Sequence, residues 1–157
     1  MRNRIHTIED ALAFQLQGLY YSEAKIVSEF KIRNQEEGSE FVNDKIKKYS
    51  GGAAEKTLKI ERIFNYLMKE PLSRKNNVID AMIHETHLML RTASECELRN
   101  TLVVACLQNI NAYKLSSYKT AYRLAEELGI DTVCDLLQQI LESEYQAAED
   151  LSEVVYL

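Results

Sequence analysis

A single proline, Pro71, interrupts a 157-residue sequence whose helical periodicity is otherwise almost continuous. Proline lacks a backbone donor and clashes with the preceding turn, so a helix cannot continue through it unbroken. Glycine also weakens helices, and two of the five glycines are adjacent, at Gly51 and Gly52. The sequence therefore predicts an all-α protein with long helices on both sides of residue 71.

The first two long helices are predicted from apolar residues that recur at spacings of three and four. Helix one begins after Thr7, and Asp10 occupies the acidic position of a capping box. Helix two begins near Ser39 and ends before Pro71, because the residue preceding a proline is disfavoured in a helix.

The last two long helices follow a connection that spans residues 72–93 and holds a short helix starting near Asn76 or Asn77. Helix three starts at Ser94, where "SECE" matches a capping box, and ends at Gly129. Helix four begins with Asp131 as its cap. Two short links and one long link predict a four-helix bundle of two hairpins, joined by a crossover that carries the short helix.

Composition limits the classes of protein to which the chain can belong. Its length fits a single domain, residues 1–157, with a substantial core. The net charge of −5 disfavours nucleic acid as a partner, and no apolar run is long enough to span a membrane. Glu9 and Asp10 interrupt any export signal, and three widely spaced cysteines suit a reducing compartment. We therefore expect a cytoplasmic protein.

Two glutamates, Glu23 and Glu144, lie in the middle of apolar stripes, where an unpaired carboxylate is costly to bury. They can form a hydrogen-bonded pair that shares a proton, hold a single metal ion, act as an acid and a base, or lie in solvent if the helix register is wrong. Tyrosines can satisfy such carboxylates, and Lys114 can neutralise one. The candidate tyrosines are Tyr20, Tyr49, Tyr113, Tyr118, Tyr122 and Tyr145.

A dimetal centre in a helical bundle needs more ligands than these two carboxylates. It takes one Glu from each of two helices and a Glu-x-x-His motif from each of the other two. The expected positions carry Ala54 and Thr57 on helix two, Asn111 on helix three, and only small residues one turn after Glu144. We therefore expect no bound metal and no cofactor.

Several segments, in this order and spacing, resemble the YciE/YciF-type stress-induced proteins, which have a ferritin-like fold. They include "LQGLYYSEAKI", "AMIHETHLML", "YKLSSYKTA" and "AEELG". The resemblance implies that acidic or histidine ligands of that family match Glu23, Ala54, Thr57, Asn111, Glu144 and Ala148 of this sequence. Of these six positions, only those of Glu23 and Glu144 still carry an acidic side chain that can bind metal, so the resemblance implies a degenerate dimetal site.

The resulting expectation is a non-enzymatic, stress-associated bundle that has lost the dimetal centre of its relatives. The alternative is a metal-binding ferritin-like oxidoreductase or ferroxidase that uses iron or manganese at Glu23 and Glu144. Six carboxylate or imidazole groups at the bundle centre would favour the alternative, whereas two would not. We also expect a homodimer through the crossover helix, with Met82, Met89 and Leu90 at the contact.

Three further features have both a structural and a functional interpretation. "GGAA", residues 51–54, provides short side chains where metal ligands are expected, so helices or tyrosines can fill the space; a local kink is the alternative. His84 and His87 of "HETH" lie on the surface or form an adventitious metal site. Cys106 is expected to be a small core residue.

Overall fold

The computed structural model describes residues 4–33 and 40–152, and every regular element in those ranges is an α-helix. The helices are α1 (Ile8–Arg33), α2 (Glu40–Tyr66), α3 (Asn77–Thr92), α4 (Cys96–Leu128) and α5 (Asp131–Ser152). The predicted all-α class, with four long helices and a short one in the crossover, is confirmed. No helix in the described ranges is both long and apolar enough to cross a membrane.

The capping box predicted for the first helix is confirmed. The backbone N–H of Asp10 donates to Oγ1 of Thr7 at 3.0 Å, and the N–H of Thr7 donates to Oδ2 of Asp10 at 3.1 Å. The same carboxylate accepts from the N–H of His6 at 3.1 Å. These hydrogen bonds, led by that of His6, lower the pKa of Asp10 and fix where α1 begins.

The capping box predicted at Ser94 is wrong. Helix α4 begins at Cys96, and its cap residue Glu95 makes no side-chain capping bond. The link is held instead by Arg99, whose Nη2 donates to the carbonyl oxygen of Ala93 at 2.8 Å. Helix α4 therefore begins two residues later than the predicted capping box places it, with Arg99 bonded back to the preceding link.

The remaining helix ends follow ordinary capping chemistry. Oδ1 of Asn76 accepts hydrogen bonds from the first turn of α3, as expected from a cap near that residue. Gly129 ends α4 with a φ of 68°, a conformation that glycine adopts without steric cost. The cap position of α5 belongs to Ile130, whose carbonyl accepts from the N–H of Cys134, so Asp131 lies inside the helix rather than capping it.

Helix α2 runs without interruption through Gly51 and Gly52 to Tyr66, so the pair does not divide the helix. Its predicted start at Ser39 lies outside the described residues. The chain leaves the helix through Met68, which has a φ of 56°, and so α2 ends before Pro71 as predicted.

Arg74 anchors the start of the crossover to α1. Its guanidinium lies 3.7 Å from the ring centroid of Phe14, and its Nη2 donates to the carbonyl oxygen of Phe14 at 3.0 Å. A Cβ at Gly18 would collide with that guanidinium, so this position must lack a side chain for the anchor to form.

The bundle closes because α1 packs against α2 and α4, and α5 packs against α4 and α2, while α3 lies on α4 and α1. Two apolar clusters fill it. One contains Leu16, Phe64, Tyr118 and Leu137, and the other contains Ile26, Ala53, Leu107 and Leu151. The positions between these clusters along each helix form a separate layer, which is polar.

Candidate functional site

Four buried charged side chains, one from each long helix, meet in the layer between the two apolar clusters. They are Glu23 on α1, Lys56 on α2, Lys114 on α4 and Glu144 on α5. Lys56 is 4% exposed and the other three are fully buried. We refer to these four residues as the Lys–Glu network.

The network is a linear chain of alternating charges. Lys56 Nζ lies 2.8 Å from Glu144 Oε1, and Lys114 Nζ lies 2.9 Å from the same oxygen. Lys114 Nζ also lies 2.9 Å from Glu23 Oε1, so it bridges the two carboxylates. Tyr118 ends the chain, because its hydroxyl donates to Glu23 Oε1 at 2.7 Å.

The two lysines make the burial of the two glutamates possible. With all four groups ionised the network is neutral, and each charge has an opposite partner within hydrogen-bonding distance. Burial raises the pKa of Glu23 despite the opposing field of Lys114. Burial also acts to raise the pKa of Glu144, but Lys114 and Lys56 together hold that pKa below its ordinary value. Glu144 is therefore the more firmly ionised carboxylate.

The two lysines also differ in how strongly they hold their protons. Burial acts to lower the pKa of Lys114, yet the neighbouring Glu23, Tyr49 and Glu144 raise it well above its ordinary value. Burial, reinforced by the positive charge of Lys114, lowers the pKa of Lys56. Lys114 is thus the permanently charged centre of the network, and Lys56 is the ammonium group that loses its proton more readily.

Three polar side chains complete the layer. Burial raises the pKa of Tyr118, which therefore stays a neutral hydrogen-bond donor to Glu23. The ring of Tyr49 has its centroid 5.0 Å from Lys114 Nζ, and burial also raises the pKa of its hydroxyl. Asn111 Nδ2 donates to the backbone carbonyl of Glu144 at 3.1 Å. This amide therefore links α4 to α5, at a position that was matched to a metal ligand.

Glu23 and Glu144 are both buried in the bundle centre as predicted, but they do not form a pair that shares a proton. Lys114 Nζ lies 2.9 Å from each carboxylate and neutralises both rather than one. The predicted hydrogen bond from a tyrosine is confirmed for Tyr118. Tyr49 lies beside Lys114 in the same layer, and the other candidate tyrosines lie elsewhere. Tyr20 donates to Glu61, Tyr113 hydrogen-bonds to Asn76, Tyr122 packs beside the first apolar cluster, and Tyr145 is 49% exposed.

The expected ligand positions on helix two are wrong by one residue. Ala54 is exposed, and Thr57 is half-buried with its Oγ1 bonded to the carbonyl of Ala53. The positions that face the bundle centre are Ala53 and Lys56, which are also three residues apart. Sequence analysis missed Lys56, although its spacing from Ala53 and from Ile60 places it in the apolar stripe.

On α5 the positions one turn after Glu144 are Ala147 and Ala148, and both are half-buried. Ala147 packs against the second apolar cluster, so it is the better match to the inward position. Ala148, the position matched to the family ligand, therefore lies within one residue of the inward position.

The two histidines of "HETH" do not form a pair. His84 is exposed, whereas His87 is buried, with its ring centroid 5.8 Å from that of Phe30 and its Nε2 3.5 Å from Glu29 Oε2. The expectation that both lie on the surface therefore holds for His84 alone.

The three cysteines are all free. Cys106 is buried with its Sγ 3.4 Å from Met89 Sδ, as expected of a core residue. Cys96 is exposed and Cys134 is half-buried, so Cys106 is the buried one of these three thiols.

The donor set does not fit a dimetal centre. A cation between Glu23 and Glu144 would meet the ammonium groups of Lys56 and Lys114, which already lie within 2.9 Å of those carboxylates. Within residues 4–33 and 40–152, no three His, Cys, Asp or Glu side chains are grouped so as to hold a metal ion. The ammonium groups contact the Oε1 atom of each carboxylate, and their positive charge repels a metal cation at the remaining Oε2 atoms.

Comparison with known proteins places the chain in a family. Residues 7–156 match a family described as "Domain of unknown function (DUF892)". The chain belongs to the DUF892 family. Among curated proteins, "Protein YciF" of Escherichia coli (strain K12) is 30% identical over 66 residues, which cover 42% of this chain. That match spans 40% of the length of YciF.

Solved structures show that this DUF892 fold recurs. YcfI from Rhodopseudomonas palustris has a TM-score of 0.90 at 22% identity, over 99% of both chains. The E. coli stress protein YciF has a TM-score of 0.87 at 21% identity, over 95% of this chain and 94% of that one. XCC3681 from Xanthomonas campestris pv. campestris has a TM-score of 0.69 at 16% identity, over 94% of this chain and 90% of that one.

Proposed function

We propose that this DUF892 protein is a stress-associated, non-enzymatic helical-bundle protein of the ferritin-like type, in which two lysines replace the metal ions of a dimetal centre. The observation that carries the proposal is the placement of the Lys56 and Lys114 ammonium groups 2.8–2.9 Å from the two buried carboxylates. In a dimetal bundle, metal cations neutralise such carboxylates. Here the chain supplies the neutralising charge itself.

Three further observations support parts of this proposal. The inward positions Ala53 and Lys56, three residues apart on α2, correspond to a Glu-x-x-His motif with neither ligand present. The association with stress rests on the YciF stress protein, whose fold this chain has. The proposed cytoplasmic location rests on three cysteines that are all unpaired, as is usual in a reducing compartment.

Metal analysis of the purified protein tests the proposal. We expect iron and manganese well below one ion per chain, and a thermal midpoint that changes by less than about 1 °C when Fe²⁺ or Mn²⁺ is added anaerobically, since a ligand stabilises a protein only by binding its folded state. Near-stoichiometric metal together with a gain of several degrees would instead favour the ferroxidase or oxidoreductase alternative.

We also propose that the protein forms a homodimer through a groove between α3 and α4. The groove has a volume of about 820 Å³, and Val78, Ala81, Met82, Met89 and Cys106 are among its lining residues. Val78 is 47% exposed, which is a high fraction for an apolar side chain beside other apolar groups. Leu90 lies outside the groove lining and packs against the second apolar cluster, so it contributes less than expected.

Charge placed in this groove is expected to separate the subunits. The double substitution Val78→Glu and Ala81→Glu changes two exposed positions of α3, so the fold should survive while the dimer dissociates. Light scattering coupled to size exclusion will give the masses of parent and variant. Leu58→Glu, at a 63% exposed position of α2, is the control and should remain dimeric. A monomeric parent at high concentration would exclude the dimer.

A further inference from the structure

A pocket of about 260 Å³ opens between α2 and α5, and Lys56 is one of its lining residues. The uncharged part of its wall includes Tyr49, Gly52, Ala147 and Leu151. Its rim carries two positive and two negative groups, Lys45, Lys48, Glu55 and Asp150. The pocket thus leads from solvent to one end of the Lys–Glu network, the end with the more readily deprotonated amine.

Small side chains keep this pocket open. A Cβ at Gly52 would lie 4.0 Å from Lys56 Nζ, so a longer side chain at this position would project into the space in front of the amine. Gly51, the neighbouring glycine, is exposed and has no atom within 4 Å of the place where its Cβ would be. The lack of a side chain at Gly52 therefore leaves space through which a small ligand can reach Lys56, and helix packing does not require that space.

We propose that Lys56 is a reactive amine that captures a short aliphatic aldehyde in this pocket as an imine. The observations that carry the proposal are the position of Lys56 in the pocket wall and its ion pair with Glu144, whose Oε1 lies 2.8 Å from the amine. A lysine that is desolvated and lies near another cationic group is the usual form of an imine-forming amine in proteins. Lys114, bound to the same Glu144 oxygen at 2.9 Å, is that second cation.

The network allows Lys56 to become neutral without leaving a net buried charge. When Lys56 loses its proton, Glu144 keeps its ion pair with Lys114, whose pKa is raised well above its ordinary value by Glu23, Tyr49 and Glu144 against the opposing effect of burial. Glu23, whose pKa burial raises, is the group able to take up a proton. One neutral amine, one neutral acid, one carboxylate and one ammonium group again sum to zero.

The reaction is a condensation without any change of oxidation state. The lone pair of the Lys56 amine forms a bond to the aldehyde carbon, and the carbonyl oxygen takes up a proton to give a carbinolamine. Loss of that hydroxyl group with a proton as water leaves a carbon–nitrogen double bond. One amine and one aldehyde thus give one imine and one water, because one nitrogen proton passes to the carbonyl oxygen and the second leaves with the hydroxyl group. The ammonium proton that Lys56 first loses passes along the network, through Glu144 and Lys114, to Glu23.

The size and polarity of the pocket select the class of aldehyde. Its 260 Å³ lies below the roughly 300–1,000 Å³ of pockets that enclose drug-sized ligands, so the ligand must be small. The uncharged wall is mainly apolar or aromatic, with Ser143 and Gln146 as its polar members, and the charges of the rim balance. A short uncharged alkyl chain can bury itself against that wall, while an anionic group gains no net attraction from the rim.

Butyraldehyde with cyanoborohydride at pH 7 tests the proposal, because reduction converts the imine to a stable secondary amine that peptide mapping can locate. Each unit by which the pKa of a lysine falls raises its neutral fraction at neutral pH about tenfold. Because burial lowers the pKa of Lys56, we expect it to be labelled several-fold faster than the exposed lysines of the folded protein. That preference should shrink as the pH approaches 10.5, the ordinary lysine pKa.

Two matched pairs of variants serve as controls. Gly52→Leu should slow the labelling of Lys56 at least about tenfold, whereas Gly51→Leu, which makes the same change one residue away, should not affect it; both replace a helical glycine by a better helix former. Lys56→Arg should abolish the adduct at this site, and Lys59→Arg should leave it in place. Labelling of Lys56 no faster than that of exposed lysines, or labelling that Gly52→Leu leaves unchanged, would overturn the proposal.

Discussion

Replacement of Lys114 by methionine is expected to lower the free energy of unfolding by about 3–5 kcal/mol, the usual cost of removing one partner from a buried ion pair. Lys114 is fully buried and contacts both carboxylates at 2.9 Å. Without it, Glu23 retains only the hydroxyl of Tyr118, and Lys56 faces two carboxylates alone. The network then carries one unpaired negative charge, which must be protonated or exposed by unfolding.

Urea unfolding followed by circular dichroism will measure this loss. Lys119→Met on the same helix is the control, because Lys119 is exposed and its removal should change the free energy of unfolding by about 0.5 kcal/mol or less. The double variant Lys114→Met with Glu23→Gln removes one charge of each sign and leaves the Lys56–Glu144 pair intact. It should regain much of the lost stability. A single variant within about 1 kcal/mol of the parent would mean that the network is not charged as described.

The second large effect is expected from building the missing metal ligands at the positions that face the bundle centre. The changes are Ala53→Glu, Lys56→His, Asn111→Glu, Lys114→Leu and Ala147→His. With Glu23 and Glu144 they supply one Glu on each of two helices and a Glu-x-x-His motif on each of the other two. Without metal, this variant should be less stable than the parent, because the new buried carboxylates repel one another.

Added Fe²⁺ or Mn²⁺ should restore its stability by mass action. At a metal concentration of a thousand times Kd the gain is about 4 kcal/mol. For a chain of this size that gain corresponds to roughly 8–16 °C in the thermal midpoint. The control carries Ala54→Glu, Thr57→His, Asn111→Glu and Ala148→Asp, keeps both lysines and places one carboxylate in solvent, so metal should not stabilise it. Equal metal responses of the two variants would contradict the assigned helix register.

The helices and three of the four network residues were predictable from local information. Apolar spacing along each segment identifies the inner face of a helix, and a charged residue within that stripe must find a partner. Glu23 and Glu144 were identified in this way, Lys114 was named as a group that can neutralise one of them, and Tyr118 was one of six candidate tyrosines. This reasoning succeeded because the residues share one face of each helix, and facing stripes in a bundle must meet.

Lys56 could not be identified with the same certainty, because lysine is among the residues least often buried and its charge normally marks an outer face. The register error on α2 had a related cause. "GGAA" offers four small residues in succession, and small residues fit either face, so the sequence does not distinguish Ala53 from Ala54. Burial distinguishes them, since Ala53 is fully buried and Ala54 is exposed. The pocket beside Gly52 depends on the distance between α2 and α5, which no single helix encodes.

The sharing of one Glu144 oxygen by Lys56 and Lys114 also bears on how such a chain can change over generations. Loss of either lysine leaves a buried carboxylate without its full neutralising charge, which destabilises the fold. Gain of one acidic ligand destabilises the fold further before any cation can bind. Single substitutions that would convert the Lys–Glu network into a set of metal ligands, or the reverse, therefore pass through destabilised proteins. Such a conversion requires several substitutions together, because the four charged residues stabilise one another.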